Sequence, residues 1–364
     1  MAGTMRAATT LALAGLALSC AALAPSPATA NTTPVVADVG AAWEHAATGT
    51  AFPVELAGFT RSRIEDFGKA QLDIGATYTQ ESSDTEATLY LFHAGLVDAS
   101  VWHDRILAVV NSSGRLGQID QQHSRSGTFT PSTGEANAGL RTVMPLTGSK
   151  LKATGIAIYP VGDWLIAIRM TSRDLDQAAL DAQLAAFAQS IHSASPPAAK
   201  TPAAYLIGDC ATALPQKQAK LYPPSMMDAL LGASLGAAQK DAVLDEEAHP
   251  AEGTVWCRDA SSNGSYGVYR ANGSDDSFIV AIGDSGATAS VGVDGLAGVL
   301  GGHSKAYMMQ FRTVDRMYAF RRFNRLPAAS QVVEMIEKDA PISSSTRGTG
   351  NTTITLSPSA GKSN

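Results

Sequence analysis

The clearest pattern of apolar and polar positions lies just before the middle of the chain. Two runs rich in β-formers, 154–159 and 164–171, flank the turn-forming segment 160–163 (PVGD). Apolar positions then recur at helical spacing, at Leu180, Leu184, Phe187 and Ile191. The pattern predicts a β-hairpin followed by an amphipathic helix, which Asp174 or Asp176 caps and which lies across one face of a sheet.

The same order of elements recurs near the end of the chain. Runs 305–313 and 317–323 predict a second hairpin, and a helical pattern follows Pro327. The apolar positions of that helix are Val332, Met335 and Ile336. We therefore predict an α+β fold with two domains of antiparallel sheet and packed helices, each ending in a β-hairpin followed by an amphipathic helix.

Shorter patterns account for most of the remaining chain. A helix capped by Asp98 or Ser100 and ended by Gly114 carries Trp102 and Ile106 on one face. A further helix begins after Ser225. Additional strands are predicted at 60–67, 72–79, 87–93, 254–258, 266–270 and 277–283.

The first thirty residues indicate export. Arg6 precedes a short apolar run at 11–18, and the small residues of a cleavage site end at Ala30. We therefore predict that 1–30 is a signal peptide, that the source is bacterial, and that the mature chain resides in the periplasm, with the medium as the alternative. Residues 17–20 (ALSC) resemble a lipobox, so a lipid anchor through Cys20 is a further alternative.

Two low-complexity stretches divide the rest. The Pro, Ala and Ser residues of 193–203 indicate a linker, and the Ser, Thr and Gly residues of 342–364 indicate a disordered tail. The predicted domains are therefore 31–192 and 204–341.

Charge and cysteine content narrow the function classes. The chain has 27 basic and 33 acidic residues, a net charge of −6, which gives no electrostatic basis for binding nucleic acid. After the signal, no apolar stretch has the length of a transmembrane helix. Cys210 and Cys257 then remain, and in an oxidising compartment we expect them to form a disulfide. A redox or metal pair is the alternative, although the C-x-x-C spacing is absent.

No motif in the sequence supplies a complete catalytic or metal site. Residues 283–286 (GDSG) look like the nucleophile motif of chymotrypsin-type proteases, but Gly, Asp and Ser are also the residues of a turn between two strands, which we prefer. The seven histidines lack zinc-binding spacings, and we expect surface positions for His103 and His123. We assign no catalytic residue, no metal and no cofactor.

One cluster of charge could meet an anionic partner. Five arginines lie close together in sequence on and after the second predicted hairpin: Arg312, Arg316, Arg321, Arg322 and Arg325. They concentrate positive charge in an otherwise acidic protein. The alternative is that they are ordinary surface arginines.

The hairpin GIAIYPVGDWLIAIRMTS (155–172) and the helix ending FAQSIH (187–192) resemble the Mog1/PsbP-like superfamily. The opening FPVELAGFTRSRIEDFG (52–68) is similar to strand openings in exported domains of this kind. The resemblance covers 52–192 and implies an α+β sandwich. Members are mostly non-enzymatic binding or assembly factors, and no motif allows a family site residue to be transferred.

These observations favour an exported, non-catalytic protein that acts in binding, in assembly or at the cell envelope. Its partner would be an envelope protein or an anionic ligand. The alternative from another class is a secreted hydrolase whose active-site residues are scattered along the sequence.

Overall fold

The computed structural model describes residues 33–34, 40–68, 70–194, 201–238, 248–294, 306–347 and 352–357. All of these described residues belong to one compact unit. The predicted signal peptide, Cys20 and most of the predicted linker lie outside the described residues. Antiparallel sheets and packed helices make up the described chain, which confirms the α+β class. The division into two domains stays a prediction.

The strands of the N-terminal half, in chain order, are β1 (Thr33–Pro34), β2 (Trp43–Glu44), β3 (Ala51–Phe52), β4 (Glu55–Leu56), β5 (Phe59–Asp66), β6 (Asp73–Gln80), β7 (Thr85–Phe92), β8 (Gln118–Ile119), β9 (Arg125–Phe129), β10 (Gly139–Thr147), β11 (Ala153–Val161) and β12 (Trp164–Ser172). Strands β2 and β3 pair with each other. The others form the first sheet, in the order β1-β5-β6-β7-β12-β11-β10-β8, with β4 beside β5 and β9 beside β10.

Two helices cover opposite faces of this sheet. Helix α1 (Ala99–Ser113) begins at Asp98, whose side chain accepts a hydrogen bond from the Val101 amide (2.9 Å), and ends at Gly114 in the left-handed conformation. Helix α2 (Gln177–Gln189) begins at Asp176, which accepts from the Ala179 amide (2.9 Å). These caps satisfy amides that the first turn of a helix leaves without intrahelical partners.

The first core lies between the sheet and α2. The Phe187 ring of α2 meets the rings of Phe59 and Tyr78 edge to face, with both centroid distances at 5.4 Å. Leu180 and Leu184 are fully buried on the same helix face. Burial of this apolar stripe is what holds α2 on the sheet.

The strands of the C-terminal half are β13 (Trp256–Arg258), β14 (Tyr266–Ala271), β15 (Phe278–Ile282), β16 (Ala287–Val293), β17 (Tyr307–Arg312), β18 (Arg316–Ala319), β19 (Ser343–Thr346) and β20 (Ile354–Leu356). They form the second sheet in chain order, and each strand is antiparallel to its neighbours. Helix α3 (Met226–Ala238) contacts β18, β19 and β20. Helix α4 (Ala329–Lys338) packs against the second sheet through Val332 and Met335.

Helix α1 lies between the two sheets and belongs to a core that both share. Trp102 and Ile106 of α1 are buried in one cluster with Tyr269 and Ile279 of the second sheet. Asp104 accepts hydrogen bonds from Arg258 (2.6 Å) and from the Tyr269 hydroxyl (2.8 Å). The helix is therefore fixed on its second-sheet side by apolar contacts and by charged hydrogen bonds.

The GDSG segment is the turn between β15 and β16, as predicted. Arg105 of α1 donates to the carbonyl oxygen of Gly283 (2.8 Å), and the Gly95 amide donates to that of Gly286 (2.8 Å). Gly286 has a φ of +86°, and a Cβ there would lie 2.9 Å from the Phe92 ring. The motif is thus a joint between the sheets, and its glycine is required by conformation and by close approach.

The segment predicted to be a disordered tail contains the strands β19 and β20, so the prediction is wrong for these residues. Ser343, Ser344 and Ser345 are buried, and β19 pairs with β18. Backbone pairing needs no apolar side chains, and small serines let α3 approach, since a Cβ on Gly232 would lie 2.9 Å from the Ser343 Oγ. The second half consequently does not end at helix α4.

The predicted disulfide between Cys210 and Cys257 is present, with a Cα–Cα distance of 4.8 Å. The Cys210 amide donates to the Arg258 carbonyl (2.9 Å), so the bridge continues a backbone contact at the edge of the second sheet.

Candidate functional site

A groove runs across the face of the second sheet that is turned away from helix α4. It consists of two adjoining cavities of about 290 and 300 Å³, which share Trp256, Ala271, Ile279, Ser290 and Gln310. We call it the sheet-2 groove. Each cavity lies at the lower end of the volume range of small-molecule sites.

The alternation of side chains along the strands produces the floor. In β15, Phe278 and Val280 point into the core beneath α4, whereas Ile279 points the other way. The strand register then aligns Ile279 with Ser290, and Ser290 with Gln310. One row of the floor therefore changes from apolar to polar across three strands.

A second row carries the charge of the groove. Thr288 of β16 stands opposite Arg312 of β17. Arg312 is only 5% exposed and lines the first cavity. The loop before α1 closes over this row, because a Cβ on Gly95 would lie 2.7 Å from the Thr288 Oγ1 and 2.9 Å from the Arg312 Cβ. A glycine is therefore needed at position 95 for the loop to come this near.

Trp256 forms a wall of both cavities, and its orientation is fixed from α1. Its Nε1 donates a hydrogen bond to Asp98 Oδ2 (3.0 Å), while the other oxygen of Asp98 caps the helix. Burial raises the pKa of Asp98 to about 6. The cap of α1 and the wall of the groove thus depend on the same carboxyl group.

Basic side chains lie at one end of the groove. Among the described residues that line either cavity there is no Asp or Glu, whereas Arg312 and His249 are present. His249 Nε2 lies 2.8 Å from Asp163 Oδ1. Arg312 is the one guanidinium group among these described lining residues.

The five arginines predicted as an anionic-partner patch do not form one exposed surface. Arg312 lines the groove, and Arg322 is buried, bonded to Asp294 (3.0 Å) and to Asp228. The other three are accessible to solvent and distributed as follows: Arg316 within 4.0 Å of Asp315, Arg321 within 3.4 Å of Asp339, and Arg325 exposed. Successive side chains of the hairpin strands point to opposite faces, so the arginines do not all face the same way. Nearby aspartates also pair with some of them.

The histidines take different structural roles. His103 is buried, not on the surface as expected, and its Nε2 lies 2.8 Å from the Thr142 Oγ1. Burial lowers the pKa of His103 to about 4. His123 is exposed and pairs with Asp120 (2.7 Å). His249 is the histidine that lines the sheet-2 groove.

Sequence reasoning missed the floor of the groove, although a signal for it was present. Thr288 and Ser290 alternate with apolar residues in β16, as Gln310 and Arg312 do with others in β17. Polar residues at alternate positions of a strand mark a face that is not part of an apolar core. Nothing local could have indicated Gly95 or Trp256, because they reach the groove from other elements.

Within the described ranges, no three His, Cys, Asp or Glu side chains are grouped so that they could hold a metal ion. No helix in the described part of the chain is long and apolar enough to cross a membrane. No protein-family model matches the chain, and no curated protein matches it.

Proposed function

We propose that this is an exported, non-catalytic binding protein whose sheet-2 groove holds a ligand with an apolar body and an anionic group. Apolar side chains such as Leu96, Trp256 and Ile279 would contact the body of the ligand. Arg312 would receive the anionic group at the far end of the first cavity.

The observation that carries this proposal is the buried position of Arg312 in a largely apolar groove. A guanidinium in such surroundings attracts an anion more strongly than one in water does, because the local dielectric constant is low. The described lining of the two cavities contains no Asp or Glu, which disfavours a cationic ligand there. The apolar lining of the groove and the buried guanidinium together therefore favour an anionic amphiphile over a neutral or cationic one.

Location and ancestry are part of the proposal. The Cys210–Cys257 disulfide is compatible with export. The periplasm is the proposed compartment, with the medium or a lipid anchor through Cys20 as alternatives. The likeness to Mog1/PsbP-like domains and the division into two domains, each with a hairpin followed by an amphipathic helix, are proposed on the sequence pattern, and they fit a role in binding, in assembly or at the envelope.

Ser290 offers a direct test, because it is exposed and lines both cavities. Titration calorimetry with dodecanoate, below its micellar concentration, should show saturable binding by the wild type. Dodecyltrimethylammonium should bind at least about 10-fold more weakly. Ser290→Glu should weaken dodecanoate binding by about 10-fold or more, whereas Ser290→Lys should retain it or strengthen it.

Ser62→Glu supplies the matched control, since Ser62 is exposed on β5 of the first sheet and the variant makes the same charge change. Its dodecanoate affinity should equal that of the wild type. Equal affinity for the two detergents, or equal effects of Ser290→Glu and Ser290→Lys, would contradict the proposal.

The hydrolase alternative is favoured by one observation, the His249–Asp163 pair at the mouth of the groove. A carboxylate that orients a histidine is part of many general-base arrangements. If the wild type hydrolyses p-nitrophenyl butyrate and His249→Asn abolishes turnover, the hydrolase is correct. Turnover that equals the uncatalysed rate in both proteins supports the non-catalytic protein.

A further inference from the structure

A second groove, of about 590 Å³, lies on the first sheet beside the C-terminal end of helix α1. We call it the sheet-1 groove. Strands β7, β11 and β12 form its floor, and the last turn of α1 forms one wall. It shares no described lining residue with the sheet-2 groove.

The strand register lines the floor with polar side chains. Glu86 stands opposite Thr171, and Thr171 stands opposite Thr154. The hydroxyl oxygens of Thr154 and Thr171 lie 2.9 Å apart. In the next row, Thr88 stands opposite Arg169. The floor thus presents hydroxyl, carboxylate and guanidinium groups on neighbouring strands.

A turn of the second sheet also lines the groove, and its carboxylate lies near the Arg169 guanidinium. Oδ2 of Asp284, in the turn between β15 and β16, lies 3.5 Å from the guanidinium Nη2 of Arg169. Ser113, the last residue of α1, and Arg115, just after the helix, also line the groove. The described lining residues therefore include two carboxylates, Glu86 and Asp284, and two guanidinium groups, so the formal charges of these residues balance.

This chemistry differs from that of the sheet-2 groove and fits a different ligand. Balanced charge gives no net attraction for an anion or a cation. Carboxylates and guanidinium groups bond well to hydroxyls, because one accepts and the other donates in a planar arrangement. Tyr90, half-buried at the end of the floor, adds an aromatic ring with an apolar face.

The floor is also rigid. The same strands direct Ala87, Leu89, Ile168 and Met170 into the first core, where each is at most 1% exposed. Side chains above such a packed layer keep their spacing without a ligand, which lowers the entropy cost of binding. A preorganised array of alternating donors and acceptors is suited to a ligand with several hydroxyl groups.

We propose that the sheet-1 groove binds a neutral saccharide. The sugar hydroxyls bond to Glu86, Thr88 and Arg169, and the apolar face of one ring packs on Tyr90. This site does not depend on the proposed function of the sheet-2 groove, since the two grooves occupy different sheets and take ligands of different chemistry.

Titration calorimetry of the full chain with maltotriose, cellotriose and triacetylchitotriose tests the proposal. At least one trisaccharide should bind saturably, and Thr88→Val should weaken that binding about 10-fold, because it removes a hydroxyl at nearly constant volume. Thr77→Val is the matched control. Thr77 stands opposite Thr88 on β6, is also half-buried, and does not line the groove.

A second variant covers the case in which Thr88→Val unfolds. Ser113 is exposed on the wall, so Ser113→Trp should block the groove and abolish sugar binding while thermal unfolding stays unchanged. Ser290→Glu should leave sugar binding intact, and this separates the failure of one groove from that of the other. Absence of saturable binding for all three sugars up to about 10 mM, or an equal loss in Thr77→Val, overturns the proposal.

Discussion

Asp73 is a partly buried carboxyl at the start of β6, and its ionisation affects the stability of the protein. Burial raises its pKa to about 7, and the negative charges of Asp66 and Asp284 add to the effect. Asp284 is also the carboxylate that faces Arg169 across the joint between the sheets. A proton on Asp73 therefore relieves repulsion at this joint.

The sign of the resulting pH dependence follows from linkage. An unfolded aspartate ionises near pH 4, so between about pH 4 and 7 the folded chain holds the Asp73 proton and the unfolded chain does not. The contribution of Asp73 to the free energy of unfolding should fall as pH rises through this window and stay constant above it. Urea unfolding at pH 5 and pH 8 measures the change.

Asp73→Asn should flatten this dependence and make the protein more stable than the wild type at pH 8. Glu252→Gln, at an exposed position, is the control and should leave the pH profile of unfolding unchanged. A pH profile of Asp73→Asn that coincides with that of the wild type would contradict the assignment.

Gly95 should not tolerate a side chain. Gly95→Ala places a methyl group against Thr288 and Arg312, and we expect a loss of about 1–3 kcal/mol of stability together with weaker dodecanoate binding. Gly127→Ala on β9 is the control, because a Cβ there meets nothing within 4 Å. Thermal unfolding of both variants decides, and equal melting temperatures would show that the loop before α1 can move away.

At the scale of elements, local signals were sufficient for the helices. Asp98 and Gly114 mark the two ends of α1 in the sequence, and the structure places both caps there. Strand β19 could not be predicted, because its serines give no apolar alternation and its position depends on α3 and β18. The floor of the sheet-2 groove was predictable in part, since polar residues alternate in β16 and β17, whereas its walls come from distant segments.

Removal of the segment once expected to be disordered should therefore destabilise the protein. Without residues 342–364, β18 loses its pairing with β19, and Arg347 no longer donates to the Ala94 carbonyl (2.9 Å). We expect a loss of at least about 2 kcal/mol in the free energy of unfolding. A chain that ends at residue 357 retains both strands and should unfold like the full chain in urea. If the two truncated proteins match, β19 contributes nothing to stability.

At the scale of the whole molecule, the disulfide ties β13 to the described segment before α3, which contains no helix or named strand of its own. It closes a separation of 47 residues and lies beside Arg258, which reaches Asp104 on α1. The double variant Cys210→Ala, Cys257→Ala should lose about 4 kcal/mol in the chain-entropy model. Thermal unfolding with and without a reductant checks this. Reductant should lower the melting temperature of the wild type and leave the double variant unchanged. A wild type that melts equally with and without reductant, or two free thiols counted in the native protein, would contradict it.

The placement of helix α1 has a consequence for how the protein loses its structure. Its apolar side chains are buried in one cluster with residues of both halves. If the chain were cut within 193–203 and the pieces separated, each piece would expose an apolar surface to water. Melting of one half removes the support of the other, and heat should therefore unfold both together in a single cooperative step. Two recognisable halves along the chain need not be two units of folding.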